Sequence, residues 1–170
     1  MFDNLTLQTG ATNPILRMKA DEVGPDEFTS GFVSGLVTKM AWFMDKHQGI
    51  GIAAPQVGVS KRVFLMHRFG TGSVDLGKVE VVCNPQILAF SKKMVMSKEG
   101  CLSLPGMEGI VERHDKIRVK YQNEAGSWKE LDLKGLNSIV FQHESDHLNG
   151  VLFIDKLIKS TDYNKDDLVL

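Results

Sequence analysis

The first clear pattern in the chain is a helical repeat of apolar residues near the N-terminus. Between Phe28 and Phe43, apolar side chains recur every three or four positions, and residues 25–27 suit the first turn of a helix. The spacing therefore predicts a long helix over residues 26–46 with one face packed on a core. The residues before it are expected to form irregular extended chain.

Four later segments predict β-strands, because each is rich in β-branched residues or alternates apolar with polar positions. They are residues 62–68, 79–85, 116–122 and 128–134. The last two flank residues 123–126 and predict a hairpin. The Gly-rich stretch GIGIAAPQVG, residues 49–58, predicts a loop with close backbone approach.

A second helix is predicted by LNSIVFQHESDHLNG, residues 136–150, and is expected to end at Gly150. The chain has no internal repeat, low-complexity tract or linker. We therefore expect one α+β domain over residues 1–170.

Composition and charge narrow the class of protein. Of the 170 residues, 42% are apolar and 24% charged, which is typical of globular proteins, and the net charge of −1 argues against a nucleic-acid partner. No run approaches the roughly 18 apolar residues of a membrane span, and the first residues lack the features of a secretory signal. We expect a cytoplasmic protein without a membrane partner, in which Cys83 and Cys101 stay reduced.

The stretch HESDH carries candidate chemistry. Positions i and i+4 of a helix share a face, so His143 and His147 can bind one metal ion, and Glu144 can reach a water beside it. Asp146 is expected to orient a ligand imidazole. Two solvated histidines on a polar helix face would give the same pattern.

A catalytic metal site of this kind needs a third protein ligand. No His or Cys follows His147, but upstream Cys101 lies in EGCLSLPG between Gly100 and Pro105. Cys83 lies in the apolar run VEVVC and is assigned to core packing. A thiolate with two imidazoles suits Fe²⁺, Zn²⁺, Ni²⁺ or Co²⁺, and the residue types do not choose among them.

Three motifs, GIGIAAPQVG, EGCLS and QHESDHLNG, resemble in this order the signature motifs of the peptide deformylase family. The similarity extends to NPILRMKADEV, NPQIL and VLFID, and so covers nearly the whole chain. It implies an α+β fold in which antiparallel β-sheets wrap around a central HExxH helix, with a long N-terminal helix.

The resemblance also implies an activity, the hydrolytic removal of the formyl group from nascent polypeptides that begin with formylmethionine, with release of formate. Carried over by motif position, Cys101, His143 and His147 hold one divalent metal, natively Fe²⁺, which Zn²⁺, Ni²⁺ or Co²⁺ can replace. Glu144 is general base and then general acid. The implied protein is a monomer that meets its substrate at the ribosome.

Further site residues follow from the resemblance. The side-chain amide of Gln56 and the backbone N–H of Leu102 are expected to stabilise negative charge on the formyl oxygen. Gly51 is expected to line the same groove and bind the peptide. Glu99 and Arg113 are expected to pair and brace the Cys101 loop.

Helix geometry suggests where the methionine side chain of the substrate binds. Leu136, Ile139 and Val140 lie seven, four and three residues before His143, on the same face of the helix. With Ile50 they could form an apolar wall, although ordinary core packing explains each residue equally well.

Two features depart from the family pattern. Many bacterial members continue into a long C-terminal helix, whereas this chain closes with the polar segment KSTDYNKDDLVL, which resembles organellar or bacteriophage-encoded members. Related sequences often carry a basic residue where this chain has Glu108.

Two other functions are compatible with HExxH: a peptidase for internal bonds, and a closed metal site that only stabilises the fold.

Overall fold

Four helices and seven strands follow one another in the computed structural model, which describes residue 2 and residues 4–70 and 77–159. The helices are α1 Pro14–Arg17, α2 Pro25–Thr29, α3 Phe32–Lys46 and α4 Leu136–His147. The strands are β1 Gly51–Ala53, β2 Val63–His67, β3 Val79–Phe90, β4 Met94–Gly100, β5 Glu108–His114, β6 Lys116–Gln122 and β7 Trp128–Lys134. Short 3₁₀ turns occupy Ala54–Val57 and Phe153–Lys156.

Two antiparallel sheets surround α4. Five strands form one sheet in the order β1-β2-β3-β6-β7, and β4 and β5 form the other. Helix α4 contacts β1, β2 and β7 of the first sheet and β5 of the second. The ring of Phe141 packs edge-on against Phe64, with centroids 5.0 Å apart. The predicted α+β fold, with sheets around the HExxH helix, is confirmed.

Side-chain amides hold α4 in position by bonding to backbone. Asn137 accepts from the N–H of Phe69 and donates to its carbonyl, both at 2.9 Å. Gln142 does the same for His114, at 3.1 and 2.9 Å. Each amide side chain therefore bonds to both the N–H and the C=O of one backbone residue, as a neighbouring strand would. These bonds fix α4 to the segment after β2 and to the end of β5.

The N-terminal helix differs from its prediction. Residues 26–46 form two helices, because the chain turns at Ser30 and Gly31, and Gly31 has a φ of 81°, which most residues avoid. Helix α3 keeps 15 residues and buries the expected face, including Leu36, Met40 and Phe43. The N-terminal segment also contains α1, capped by the Asn13 side chain.

The strand predictions are correct in part. Strands β6 and β7 have the predicted bounds, and Gly126 takes a φ of 78° in their hairpin. Strand β3 runs beyond its predicted end to Phe90, through a register shift that begins after Cys83 and contains Asn84 at φ 49°. Strand β1 was expected to be loop, and β4 and β5 were missed.

The ends of the predicted elements also shift. Helix α4 ends at His147, and Gly150 takes a left-handed φ of 73° beyond it, where a side chain would strike the backbone of Arg17. Cys83 is fully buried, as predicted.

The polar segment from residue 160 onward lies outside the described residues. None of the helices in the described ranges has the length and apolar character that crossing a membrane requires.

Candidate metal centre and active site

Three residues, one after β4 and two on α4, bring ligand atoms to one point. Cys101 follows directly after β4, and His143 and His147 lie one turn apart on α4. Their ligand atoms all lie within 4.8 Å of one another, and the Cys101 Sγ is 3.3 Å from Nε2 of His147. The structure thus brings together the three residues that the sequence proposed as ligands.

A buried ion-pair network supports this cluster. Both carboxylate oxygens of Glu99 accept from Arg113 at 2.8 Å, and Glu99 also accepts from Nδ1 of His143 at 2.8 Å. Burial raises the pKa of Glu99, but the bonds from Arg113 and His143 outweigh it and lower the pKa to about 2. The expected pairing of Glu99 with Arg113 is therefore present, and Glu99 stays ionised.

The prediction for Asp146 is wrong. Its carboxylate accepts from Arg113 at 2.5 Å and from Lys156 at 2.8 Å, and Glu99 orients the imidazole instead. The reason is the geometry of the Arg113 guanidinium, whose Nε and Nη2 donate to Glu99. The remaining Nη1 donates to Asp146, which lies three residues after His143 on α4. Asp146 is thus linked to His143 through Arg113 and Glu99.

The electrostatics of the cluster favour a cation. Burial lowers the pKa of His143, but hydrogen bonds to Cys101 and Glu99 and the charge of Glu144 raise it to about 10. Burial and the positive charges of His143 and Arg113 lower the pKa of His147 well below its ordinary value. The cluster therefore stabilises a positive charge, whether a proton or a bound cation, and keeps His147 in the neutral form that binds metal.

The donor set fits a divalent transition metal. Cys101 offers a thiolate, and the two histidines offer imidazole nitrogens, a combination found for zinc and iron. Since Nδ1 of His143 is bonded to Glu99, its Nε2 is the nitrogen available to the ion. Ligand atoms within 4.8 Å of one another can share one ion at bond lengths of about 2.0–2.3 Å.

Glu144 lies beside the ligands and is buried. Its Oε2 makes no hydrogen bond with any residue in the described part of the chain. Burial raises the pKa of Glu144 to about 7, and the nearby charge of His143 opposes the rise. A carboxyl group with a pKa near neutrality can both accept and return a proton.

Gly51 makes room for Glu144. A Cβ built on Gly51 would overlap the Glu144 carboxylate. Gly51 begins β1 at the edge of the five-stranded sheet, so the small residue places strand backbone directly against the carboxylate. The expectation that Gly51 lines the groove therefore has a geometric basis.

The Gln56 side chain is fixed with its NH₂ group toward the ligand cluster. Its Oε1 accepts from the N–H of Ala53 at 2.8 Å, so the amide nitrogen must point the other way. That nitrogen lies 3.5 Å from Sγ of Cys101 and 3.2 Å from the buried hydroxyl of Ser103. Ser103 was not singled out from the sequence, although it lies in the EGCLS motif.

Gly51, Gln56, Cys101, His143 and Glu144 all line one cleft of about 670 Å³. Its lining includes the residues proposed for substrate binding, namely Ile50, Gly51, Leu136, Ile139 and Val140, and the two proposed donors to the formyl oxygen, Gln56 and Leu102. Ile139 and Val140 are buried, whereas Ile50 is 41% exposed and lies at the opening. The cleft also includes Gln48 and Met107, which the sequence reasoning missed because neither belongs to a periodic pattern.

Comparisons with known proteins identify the family of the chain. The sequence profile of the family described as polypeptide deformylase matches residues 9–163. A peptide deformylase of Thermotoga maritima is 41% identical over 145 residues, covering 85% of this chain and 82% of that protein.

Solved structures of peptide deformylases are also similar to this chain in fold and sequence. The Met-Ala-Ser-bound class I type b peptide deformylase of Acinetobacter baumannii has a TM-score of 0.84 and 36% identity, covering 92% of this chain and all of that one. A probable peptide deformylase from Synechococcus phage S-SSM7 has a TM-score of 0.81 and 38% identity, covering 91% of this chain and 100% of that one.

The candidate metal cluster, the cleft and the match over most of the chain lead to one conclusion. The chain belongs to the polypeptide deformylase family, metal-dependent hydrolases that remove the N-terminal formyl group from formylmethionyl polypeptides and release formate.

Proposed function

We propose that the chain carries out the family reaction in the cleft described above, with Cys101, His143 and His147 as metal ligands and Glu144 as the proton-transfer group. The observation that carries this assignment is the convergence of the three ligand atoms within 4.8 Å of one another beside a buried carboxyl group. A divalent ion held there supplies Lewis-acid chemistry, since it lowers the pKa of a water toward about 7 and polarises a carbonyl.

Strand edges in the cleft suit an extended peptide. Strand β1 is at the edge of the five-stranded sheet, and within the described residues β4 pairs with β5 alone in the second sheet. Backbone N–H and C=O groups at such edges can bind a peptide as an additional strand. Gly51 in β1 would bind the substrate backbone beside Glu144.

Glu144 would move the proton during hydrolysis. It takes a proton from the attacking water as the oxygen adds to the formyl carbon, and returns it to the nitrogen as the C–N bond breaks. Formate and a free N-terminal amine are then released. The pKa of about 7 suits both steps, because neither protonation state is strongly favoured at neutral pH.

Charge that develops on the formyl oxygen needs donors already in place. The NH₂ group of Gln56 is held toward Cys101 by the bond between its Oε1 and Ala53. The backbone N–H of Leu102, the next residue after Cys101, would be the second donor. Because Gln56 is buried and hydrogen-bonded at both ends, it needs little reorganisation during the reaction.

The methionine side chain would bind against α4. Leu136, Ile139 and Val140 line the cleft one to two turns before His143, and Ile50 lines the same cleft. An unbranched thioether would bury its apolar surface there.

The wider setting completes the proposal. We expect residues 1–170 to form one domain, monomeric and cytoplasmic, that acts on nascent chains at the ribosome. Fe²⁺ is the expected native metal, and Zn²⁺, Ni²⁺ or Co²⁺ can replace it. Thiolate-bound Fe²⁺ is liable to oxidation, so the assays should be anaerobic.

Formate release from formyl-Met-Ala-Ser by iron- or nickel-loaded protein tests this function. The Glu144→Ala variant should retain the metal and lose turnover, and Cys101→Ala should lose the metal. Retention of metal by Cys101→Ala would remove the third-ligand assignment. Equal cleavage of internal or acetylated bonds would instead indicate a general peptidase, and no activity in the loaded wild-type protein would indicate a closed structural site.

A further inference from the structure

Ser103 has no part in the chemistry above, although it lies two residues after Cys101. Its side chain is fully buried, and in the described part of the chain it is not among the residues that line the cleft. Its hydroxyl oxygen accepts a hydrogen bond from Nε2 of Gln56 at 3.2 Å. Any influence of the Ser103 hydroxyl on a substrate in the cleft must therefore pass through Gln56.

The Gln56 amide needs a bond at each end to keep its orientation. The last torsion of a glutamine side chain has a broad preference, so packing of the aliphatic carbons alone does not fix the plane of the amide. The N–H of Ala53 holds Oε1 at 2.8 Å, but this bond alone would let the NH₂ group swing around it. Ser103 holds the nitrogen end, and the two bonds together fix the plane.

The bond to Ser103 also determines which N–H of Gln56 faces the candidate metal cluster. Nε2 carries two hydrogens, and one of them is directed at the Ser103 oxygen. The same nitrogen lies 3.5 Å from Sγ of Cys101, so the second hydrogen is on the side of the cluster. Because sulfur is a weak acceptor, this second N–H remains available to the formyl oxygen of a substrate.

Backbone bonds hold both residues in place without the Ser103 hydroxyl. In the extended N-terminal segment, the N–H of Gln8 donates to the carbonyl of Gln56 at 2.8 Å. Two residues later, the N–H of Gly10 donates to the carbonyl of Ser103 at 2.9 Å. This segment joins the two loops through their main chains, so removal of the hydroxyl should leave both loops folded.

We propose that Ser103 is a positioning residue, whose hydroxyl holds the Gln56 amide with one N–H directed at the formyl oxygen in the transition state. The inference rests on the proposed function and extends the donor set to a residue that does not contact the substrate. Since the oriented N–H acts on charge that develops during the reaction, its loss lowers kcat and leaves KM nearly unchanged.

The kinetic test compares metal-loaded wild type and Ser103→Ala with formyl-Met-Ala-Ser as substrate. The kcat of Ser103→Ala should fall by about two- to tenfold, the range of one neutral hydrogen bond, with equal metal content. The same substitution is then made in Gln56→Met, which has a side chain of similar length and no amide. In that background Ser103→Ala should leave kcat unchanged, because the hydroxyl has no amide to hold.

Ser138→Ala is the matched control. Ser138 is also fully buried, and its hydroxyl oxygen accepts from Nε2 of Gln142 at 3.0 Å. It also donates to the carbonyl of His114 at 2.8 Å, so its loss should lower the stability of metal-free protein to urea at least as much as Ser103→Ala does. Ser138→Ala should nevertheless keep the wild-type kcat and KM. A fall in kcat that only followed stability would appear in both variants.

NMR of the side-chain NH₂ groups gives a readout apart from activity. It uses protein loaded with Zn²⁺, whose filled d shell does not broaden the spectrum. The Gln56 resonances, identified by their loss in Gln56→Met, should shift in Ser103→Ala and stay in place in Ser138→Ala. Unshifted Gln56 resonances, or an equal fall in kcat with and without the Gln56 amide, would overturn the proposal. Absence of formate release from loaded wild type would instead count against the proposed function, while the resonances would still report on the bond between Ser103 and Gln56.

Discussion

His143 donates from Nδ1 to the Glu99 carboxylate at 2.8 Å. This bond connects a candidate ligand on α4 to the end of β4, since Glu99 lies two residues before Cys101. The same carboxylate receives two bonds from the buried Arg113. Two of the three candidate ligands are therefore positioned through one acidic residue. The bond also leaves Nε2 of His143 as the nitrogen that can face a metal.

Replacing Glu99 with Gln should weaken metal binding. The amide could still accept from His143, but it would carry no charge and could not make both bonds to Arg113. Loss of such a supporting contact typically costs about 10- to 100-fold in metal affinity. Competition with a chelator measures this, with Glu130→Gln as a surface control. Unchanged affinity in a folded Glu99→Gln protein would show that the carboxylate does not support the ligand.

Gly51→Ala should impair the reaction without removing the metal. The added methyl group would overlap the Glu144 carboxylate and displace it. A misplacement of about 1 Å in a catalytic group can cost on the order of 100-fold in rate, so kcat should fall by about that factor. Metal content and formate release should be measured on the same sample.

Gly24→Ala is the control for this experiment. Gly24 has a φ of −79°, and its added methyl would make only an ordinary contact with Glu27, at 3.7 Å. It should therefore keep near-wild-type activity. Equal activity of Gly51→Ala and Gly24→Ala would mean that Glu144 can move aside without loss.

The two cysteines should differ in reactivity toward a thiol reagent. Cys83 is fully buried, and burial raises the pKa of its thiol to about 12, so the reactive thiolate is scarce at neutral pH. Cys101 lines the cleft and is partly exposed. Metal-free protein should label quickly at Cys101 and at Cys83 only on unfolding. Bound metal should protect Cys101, and mass spectrometry of labelled peptides can locate each site.

The sequence predicts the elements whose pattern is local. Helix α4 and strands β6 and β7 have clear periodicity, and HExxH on a helix fixes two ligands by geometry alone. Strands β4 and β5 were missed because their inward positions carry Glu99 and Arg113, charged residues that a core strand ordinarily excludes. Their burial depends on the mutual ion pair, which joins residues far apart in sequence.

The same limit explains the error at Asp146. Asp146 was expected to orient an imidazole because carboxylates beside metal sites often do so, but the position of Arg113 between Asp146 and Glu99 is set by strand pairing. Cys101 was assigned from its motif and from the lack of later ligands. Its distance from His147 depends on the packing of the second sheet against α4 through β5, which no local pattern specifies.

Asp155→Asn should destabilise the protein at neutral pH, with an effect that disappears in acid. Arg17 donates to both oxygens of Asp155, at 2.5 and 3.2 Å, and the N–H of Leu152 donates at 2.9 Å. The bond from Arg17 lowers the pKa of Asp155 below its ordinary value, burial opposes this, and the Leu152 bond adds to it. Because the folded state favours the ionised carboxyl group, its stabilisation is complete above the ordinary pKa of about 3.9 and is lost as pH falls below it.

Urea unfolding of metal-free wild type and Asp155→Asn between pH 3 and pH 8 measures this effect. The pair is partly exposed, so the difference at pH 7 should be below about 1 kcal/mol and constant down to about pH 5. It should then shrink toward pH 3. Asp132→Asn is the control, since that side chain is 75% exposed and lies 3.7 Å from Arg118. A difference that grows as pH falls would contradict the depressed pKa of Asp155 and the role of Arg17 in joining α1 to the segment after α4.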